Sequence, residues 1–197
     1  MNHILSEQFQ YETRRKRMVI KIVKMALEKM DKNYCRLSQI SKEIELKTEK
    51  YLERPFCYEF YHQLRKLIEN GNVNFCGSVV QAEVDKRYQG YFENGKIPDF
   101  IFHVPDTQRN LAVVEFKLAS RFNGIKDDFQ KLLEIKKVLK YEYLIEVIIG
   151  NDGSLEEAKS FIKSLCTREG QQITVIAFDT KTWKAFDYNV RYSGTQH

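Results

Sequence analysis

Two acids and a lysine stand in two short, largely apolar runs of the sequence. Asp99 follows Pro98 in the run 96–103, and Glu115 and Lys117 close the run 111–117. Burying carboxylates and an ammonium group among apolar residues is costly unless they pair with one another or bind something. Their types and spacing therefore point to a ligand site.

Residues 105–110 are turn-forming and separate the two runs, so the whole block is predicted to form a β-hairpin. Side chains alternate between the two faces of a strand. Glu115 and Lys117 should therefore lie on one face, together with Val113 and Leu111. Asp99, at the start of the preceding strand, should converge with them at one end of the hairpin.

Pro98-Asp99 followed by Glu115-x-Lys117 resembles the motif of the PD-(D/E)XK nuclease superfamily. The resemblance implies that Asp99, Glu115 and the backbone carbonyl of Phe116 hold Mg²⁺, for which Mn²⁺ can substitute. It also implies that Lys117 orients the attacking water or screens the phosphate charge. Mg²⁺ prefers a few carboxylate oxygens, acidifies bound water and neutralises transition-state charge, which explains the residue types. The alternative is a surface hairpin with an ordinary Glu–Lys pair.

Two predicted helices flank the hairpin. Residues 55–70 carry an apolar stripe at helical spacing, and Glu59 lies beside it. The resemblance implies that Glu59 stands near the metal as a further ligand and catalytic group; the alternative is an exposed Glu that pairs with Gln63 or with the cation-rich turn. Residues 126–139 form the second helix, whose Gln130 and Lys131 would face the site and contact nucleic acid. A solvated helix face is the alternative there.

The N-terminal third carries the whole positive excess of the chain. Residues 1–70 contain 15 Lys and Arg against 10 Asp and Glu, whereas residues 71–197 contain 17 of each. Within a helix predicted over residues 8–30, the run Arg14-Arg15-Lys16-Arg17 could bind phosphates, or could simply be a solvated face. Residues 37–44 are predicted to form a short amphipathic helix, with a helix-turn-helix as the DNA-reading alternative.

The order of predicted elements gives the fold class, α/β (α+β). A helix at 55–70, strands at 78–88, 96–103 and 111–117, a helix at 126–139 and an apolar, central parallel strand at 143–150 follow one another. This αβββαβ order is the core of the restriction-endonuclease-like fold, with a mixed central sheet flanked by helices. We therefore expect an added N-terminal helical segment over residues 1–48 and a nuclease-like domain over residues 49–197.

Cysteine content and hydrophobicity argue against several classes of protein. Four scattered cysteines without a C-x-x-C pair argue against a zinc site or a disulfide scaffold. There is no apolar run long enough to span a membrane and no signal-peptide pattern, so a cytoplasmic protein without a membrane partner is expected.

The sequence favours a metal-dependent nuclease that hydrolyses DNA phosphodiester bonds. The competing hypothesis is a non-catalytic nucleic-acid- or partner-binding protein of the same fold, and a homodimer is left open.

Overall fold

A computed structural model describes residues 2–40, 47–71, 73, 77–84 and 97–189; the side chains of residues 2–9, 12, 37–40, 47–49 and 189 are not described. The chain has an α+β architecture in which helices flank a mixed six-stranded sheet. This confirms the predicted class and the mixed sheet. Within the described residues, no helix is both long and apolar enough to cross a membrane.

The N-terminal part contains two helices and a small two-stranded sheet before the third helix begins. The elements are α1 (Asn2–Glu28), α2 (Lys32–Cys35), β1 (Arg36–Ile40), β2 (Lys47–Tyr51) and α3 (Glu53–Glu69). The C-terminal end of α1 is hydrogen-bonded to residues 183–185, at the edge of the main sheet. Glu28 accepts a hydrogen bond from the backbone N–H of Ala185, and the indole of Trp183 donates to the Met30 carbonyl.

The main sheet contains six strands in sequence order, with two helices inserted as crossovers. Its elements are β3 (Val79–Ala82), β4 (Phe100–His103), β5 (Asn110–Leu118), α4 (Phe122–Leu139), β6 (Tyr143–Gly150), α5 (Asp152–Glu169), β7 (Thr174–Asp179) and β8 (Lys184–Asn189). β3, β4 and β5 are antiparallel neighbours, β5, β6 and β7 are parallel, and β8 is an antiparallel edge. The central position predicted for residues 143–150 is confirmed. Residues 85–88 of the strand predicted at 78–88 lie outside the described part.

Each face of this sheet is covered by its own helices. Alternate strand residues such as Phe100, Val114 and Phe116 pack with α1 and α3 in one core cluster. The intervening residues, such as Val113 and Ile148, pack with α4 and α5 in the other cluster. Because successive side chains of a strand point to opposite faces of the sheet, Glu115 and Lys117 lie on the same face as Val113, which is the face that α4 covers.

Leu111 is an exception to the predicted alternation. Phe102 pairs with Ala112 but His103 pairs with Asn110, so the register shifts by one residue and a β-bulge forms at Leu111. A bulge inserts one extra residue and reverses the side-chain alternation beyond it. Leu111 therefore packs in the α1–α3 cluster with Ala112, and the prediction that it shares a face with Glu115 is wrong.

The helix predicted over residues 37–44 is also wrong. Arg36–Ile40 forms β1, which pairs antiparallel with Lys47–Tyr51, whereas residues 41–46 lie outside the described part. An eight-residue helix is marginal because nucleation is costly, whereas strand pairing satisfies the backbone groups of both segments. The helix-turn-helix alternative fails with it.

Candidate active site

Asp99 and Glu115 are brought together by the pairing of β4 with β5. Phe100 pairs with Val114, so one further step along the ladder sets Asp99 opposite Glu115. The backbone N–H of Phe116 donates to Oδ2 of Asp99 at 2.7 Å, and the N–H of Asp99 lies 3.4 Å from Oε2 of Glu115. The predicted convergence of these two carboxyl groups therefore has a backbone cause, namely two adjacent strands held in fixed register.

Aromatic packing behind the carboxylates keeps this register fixed. The ring of Phe60 on α3 lies 5.0 Å from that of Phe100 and 4.9 Å from that of Phe116, centroid to centroid. All three rings are fully buried. Aromatic pairs at this separation add about 0.5–1.5 kcal/mol beyond the area they bury. α3 therefore anchors, from the far face, the two strands that carry Asp99 and Glu115.

Two lysines and two further carboxylates, one from α4 and one from the start of α3, complete the cluster. Nζ of Lys131 contacts Oε2 of Glu115 at 2.7 Å and Oδ1 of Asp128 at 3.1 Å. Nζ of Lys117 contacts Oε1 of Glu53 at 2.8 Å and Oδ2 of Asp128 at 3.0 Å. Asp128 thus links the two ammonium groups, and Lys117 is held in one place by two acids.

Burial governs the protonation of these groups. Burial raises the pKa of Glu115 well above its ordinary value, and the charge of Lys131 only partly opposes this. The pKa of Asp99 is also raised, first by burial, while the hydrogen bond from Phe116 acts to lower it. Burial would lower the pKa of Lys117, but its hydrogen bond to Glu53 and the charge of Asp128 raise it. Lys117 therefore stays charged at neutral pH.

The cluster has the charge and the donor atoms for a divalent cation. Asp99, Glu115, Asp128 and Glu53 supply four carboxyl groups, whereas Lys117 and Lys131 supply two ammonium groups. Oε1 of Glu115 is buried and has no hydrogen-bond partner among the described residues. Within that same part of the chain, no three His, Cys, Asp or Glu side chains form a preassembled metal site. Mg²⁺ commonly needs only one or two carboxylates, because water and phosphate supply the rest.

Glu59 is not where the sequence interpretation expected it. Its Oε1 accepts hydrogen bonds from the backbone N–H of Asp31 at 3.1 Å and from Gln63 at 2.7 Å, so it fixes α2 against α3. Glu53 supplies the α3 carboxylate of the cluster instead. The reason is helical phase: Glu53 lies two turns before Phe60, on the stripe that faces the sheet, whereas Glu59 is rotated off it. The same spacing could have identified Glu53.

The predicted nucleic-acid contacts fall in two different places. Lys131 joins the carboxylate cluster, and Gln130 is half-buried beside it on α4. The basic run of α1 lies elsewhere, because Arg15 contacts Glu142, just before β6, at 3.1 Å. Tyr143 pairs with Ala112, so Glu142 is about 13 Å from the level of Glu115 at the usual rise per strand residue.

One cation of this run, Lys16, is repelled by another lysine. Partial burial and the charge of Lys136 on α4 lower the pKa of Lys16. Arg14 and Arg17 are exposed on the same helix. Phosphate binding by this run stays a prediction.

Besides Glu53, two further acids of this region are not among the residues predicted from the sequence. Asp128 precedes Lys131 by three residues and so shares its helix face. Glu146 is the one charged residue in the apolar strand β6 and is 0% exposed. A single acid within a continuous apolar run was the signal that could have found it.

We expect Glu146→Gln to stabilise the metal-free protein in a pH-dependent way. Burial raises the pKa of Glu146 well above its ordinary value, and Asp128 adds to the rise while Lys117 and Lys131 oppose it. The folded state then favours the protonated acid, so the free energy of unfolding falls as pH rises above the unfolded pKa of about 4.3. Urea unfolding in EDTA should give equal stabilities near pH 4 and a gain of about 1–3 kcal/mol for the variant at pH 8.

The control for this measurement is Glu157→Gln, which changes an exposed carboxylate of α5. It should leave the free energy of unfolding unchanged at both pH values. A gain for Glu146→Gln that is absent, or the same at pH 4 and pH 8, would contradict the assignment of a desolvated acid.

Comparison of the chain with protein-family models, with curated proteins and with solved structures returned no match. The function is therefore inferred from the geometry and chemistry of the carboxylate cluster.

Proposed function

We propose that this protein is a metal-dependent nuclease of the PD-(D/E)XK kind, with a restriction-endonuclease-like core, that hydrolyses DNA phosphodiester bonds. The observation that carries the proposal is the pairing of half-buried Asp99 with buried Glu115, with Lys117 at the next position on the same face of β5. The element order α3–β3–β4–β5–α4–β6 supports it, because it has the αβββαβ order of that core.

The donor set fits Mg²⁺. Two carboxylates at the junction of β4 and β5 offer hard oxygen atoms, and Oε1 of Glu115 is buried with no hydrogen-bond partner among the described residues. Asp99 and Glu115 would hold the ion, helped by the carbonyl of Phe116. When bound, Mg²⁺ supplies charge neutralisation at the phosphate and acidifies a water molecule. Negative charge left over after the two lysines are counted favours a divalent cation.

The chain's own residues supply positioning and one fixed positive charge. Glu53 and Asp128 hold the ammonium of Lys117, so its charge needs little reorganisation when substrate arrives. In the proposed role, Lys117 donates a hydrogen bond to the attacking water or to a phosphate oxygen. Lys131 offsets the charge of Glu115 and Asp128, which limits the repulsion that the metal-free cluster must sustain.

Nicking of supercoiled plasmid tests the proposal. The wild type should nick in Mg²⁺ or Mn²⁺ and not in EDTA. Glu115→Gln should be inactive, because the amide keeps the shape but loses the charge that binds the ion, while Glu157→Gln on α5 should match the wild type. Nicking that survives EDTA or Glu115→Gln would overturn the proposal.

One observation favours the second candidate, a nucleic-acid-binding protein without catalysis. Lys131 already contacts Glu115, so the acid is neutralised without a metal ion. Such a protein would bind DNA in EDTA with a strong salt dependence, because phosphate contacts release counterions. Mn²⁺ would then change neither its DNA affinity nor its thermal stability.

Gly124→Ala should reduce cleavage without reducing stability. A Cβ at Gly124 would lie 2.9 Å from Cδ of Lys117, so the lysine stem must move. Small displacements of a catalytic group cost about 10- to 100-fold in rate. Alanine is also the better helix former, by about 1 kcal/mol within a helix. The matched control is Gly153→Ala in α5, where the added Cβ meets open space. Equal nicking rates for both variants would contradict the role of Lys117.

A further inference from the structure

Glu146 is a carboxylate that nothing described so far uses. It lies on β6 directly opposite Glu115 of β5 in the parallel register, and it is 0% exposed. Neither of its carboxylate oxygens has a hydrogen-bond partner among the described residues. Its neighbours on that face of the strand, Leu144 and Ile148, belong to the α4–α5 core cluster.

The sheet aligns three acids in one row. Asp99 precedes β4, Glu115 is on β5 and Glu146 is on β6, at successive positions across the strands. Neighbouring strands are about 4.8 Å apart, so adjacent carboxylates of such a row can reach one cation. Lys117 lies on the same face of the sheet, and α4, which carries Asp128 and Lys131, covers that face.

The unused oxygens indicate where a ligand would bind. Lys131 occupies Oε2 of Glu115, whereas Oε1 of Glu115 has no partner in the described part of the chain. One buried oxygen of Glu115 and both oxygens of Glu146, at paired positions of β5 and β6, therefore have no hydrogen-bond donor among the described residues. Leaving such buried oxygens without a partner is unfavourable, and a bound cation would remove that penalty.

We propose that Glu146 is a third carboxylate ligand, which binds a divalent cation of the Mg²⁺ and Mn²⁺ class together with Glu115. The inference rests on the proposed function, since it adds a ligand to the ion that Asp99 and Glu115 would hold. It extends the site from the hairpin to the next strand of the sheet. The bound ion would then bridge β5 and β6 on the face that α4 covers.

Titration calorimetry with Mn²⁺ on the full chain tests the inference, with electron paramagnetic resonance to count bound ions. Glu146→Gln should weaken Mn²⁺ binding about tenfold or more, the scale expected when a group that supports a metal is removed. Glu157→Gln should bind as the wild type does. Mn²⁺ should raise the thermal midpoint of Glu146→Gln less than that of the wild type, and should raise that of Glu157→Gln as much as that of the wild type.

The outcomes distinguish the role of Glu146 as a metal ligand from the proposed nuclease function. Unchanged Mn²⁺ affinity in Glu146→Gln, together with weakened binding in Asp99→Asn, would overturn this inference and leave the proposed function standing. An equal loss of affinity in Glu157→Gln would also overturn the inference. A wild type that binds no Mn²⁺ would overturn both. If Glu146→Gln is unfolded in EDTA, Glu146→Asp decides: weakened binding supports the inference and unchanged binding overturns it.

Discussion

Lys117→Ala should lower the nicking rate about 10²- to 10³-fold while leaving Mn²⁺ affinity equal to that of the wild type or higher. A preorganised donor aimed at developing charge is worth about 3–4 kcal/mol of transition-state stabilisation, which is the loss expected here. The lysine is not a metal ligand. Its removal leaves Glu53 without its ammonium partner and Asp128 with Lys131 alone, so the cluster becomes more negative and should attract a cation more strongly. Calorimetry with Mn²⁺ and plasmid nicking, measured on the same preparation, separate the two effects.

Lys137→Ala is the matched control, because Lys137 is exposed in the last turn of α4. It should nick at the wild-type rate. A Lys117→Ala variant that loses Mn²⁺ affinity in proportion to rate would show that the lysine acts through the metal site. A variant that nicks at the wild-type rate would remove Lys117 from the mechanism.

Asp99→Asn should weaken Mn²⁺ binding at least tenfold and should not destabilise the metal-free protein. A hard cation loses one of few carboxylate ligands, whereas the amide oxygen can still accept the hydrogen bond from Phe116. Burial raises the pKa of Asp99, and the charge of Asp99 in turn raises the pKa of Glu115. The metal-free fold is therefore expected to keep or raise its free energy of unfolding at neutral pH when this charge is removed.

The measurements are Mn²⁺ calorimetry and urea unfolding in EDTA, with Asp127→Asn on the exposed face of α4 as control. The control should change neither value. Wild-type Mn²⁺ affinity in Asp99→Asn would show that Asp99 only organises the β4–β5 junction through its bond to Phe116. A large fall in the free energy of unfolding of metal-free Asp99→Asn would also show that Asp99 has this structural role.

The sequence was sufficient to predict the parts of the site that follow from local periodicity. Asp99 and Glu115 come together because a hairpin pairs two strands whose side chains alternate with period two. Leu111 broke that rule because a bulge depends on how two strands meet, which no single run of residues records. The chain at 37–40 formed a strand because pairing with Lys47–Tyr51 outweighed a weak helical pattern.

The partners of the site residues depended on tertiary placement. The apolar stripe of α3 distinguishes Glu53 from Glu59, but only the packing of α3 against the sheet brings Glu53 to Lys117. Asp128 links both lysines because α4 crosses the face of β5 that carries Glu115 and Lys117. Glu146 required knowing that β6 lies beside β5 in register. Sequence spacing within one element could not supply these contacts.

Metal binding by Asp99 and Glu115 can be tested by the anomalous diffraction of a crystal of the full chain soaked in Mn²⁺. We expect an anomalous peak in contact with the carboxylates of Asp99 and Glu115, on the face of the sheet that α4 covers. We also expect the peak to be lost in crystals of Glu115→Gln. A well-diffracting wild-type crystal in millimolar Mn²⁺ with no peak at these carboxylates, or with its peak elsewhere, would show that they do not form the metal site.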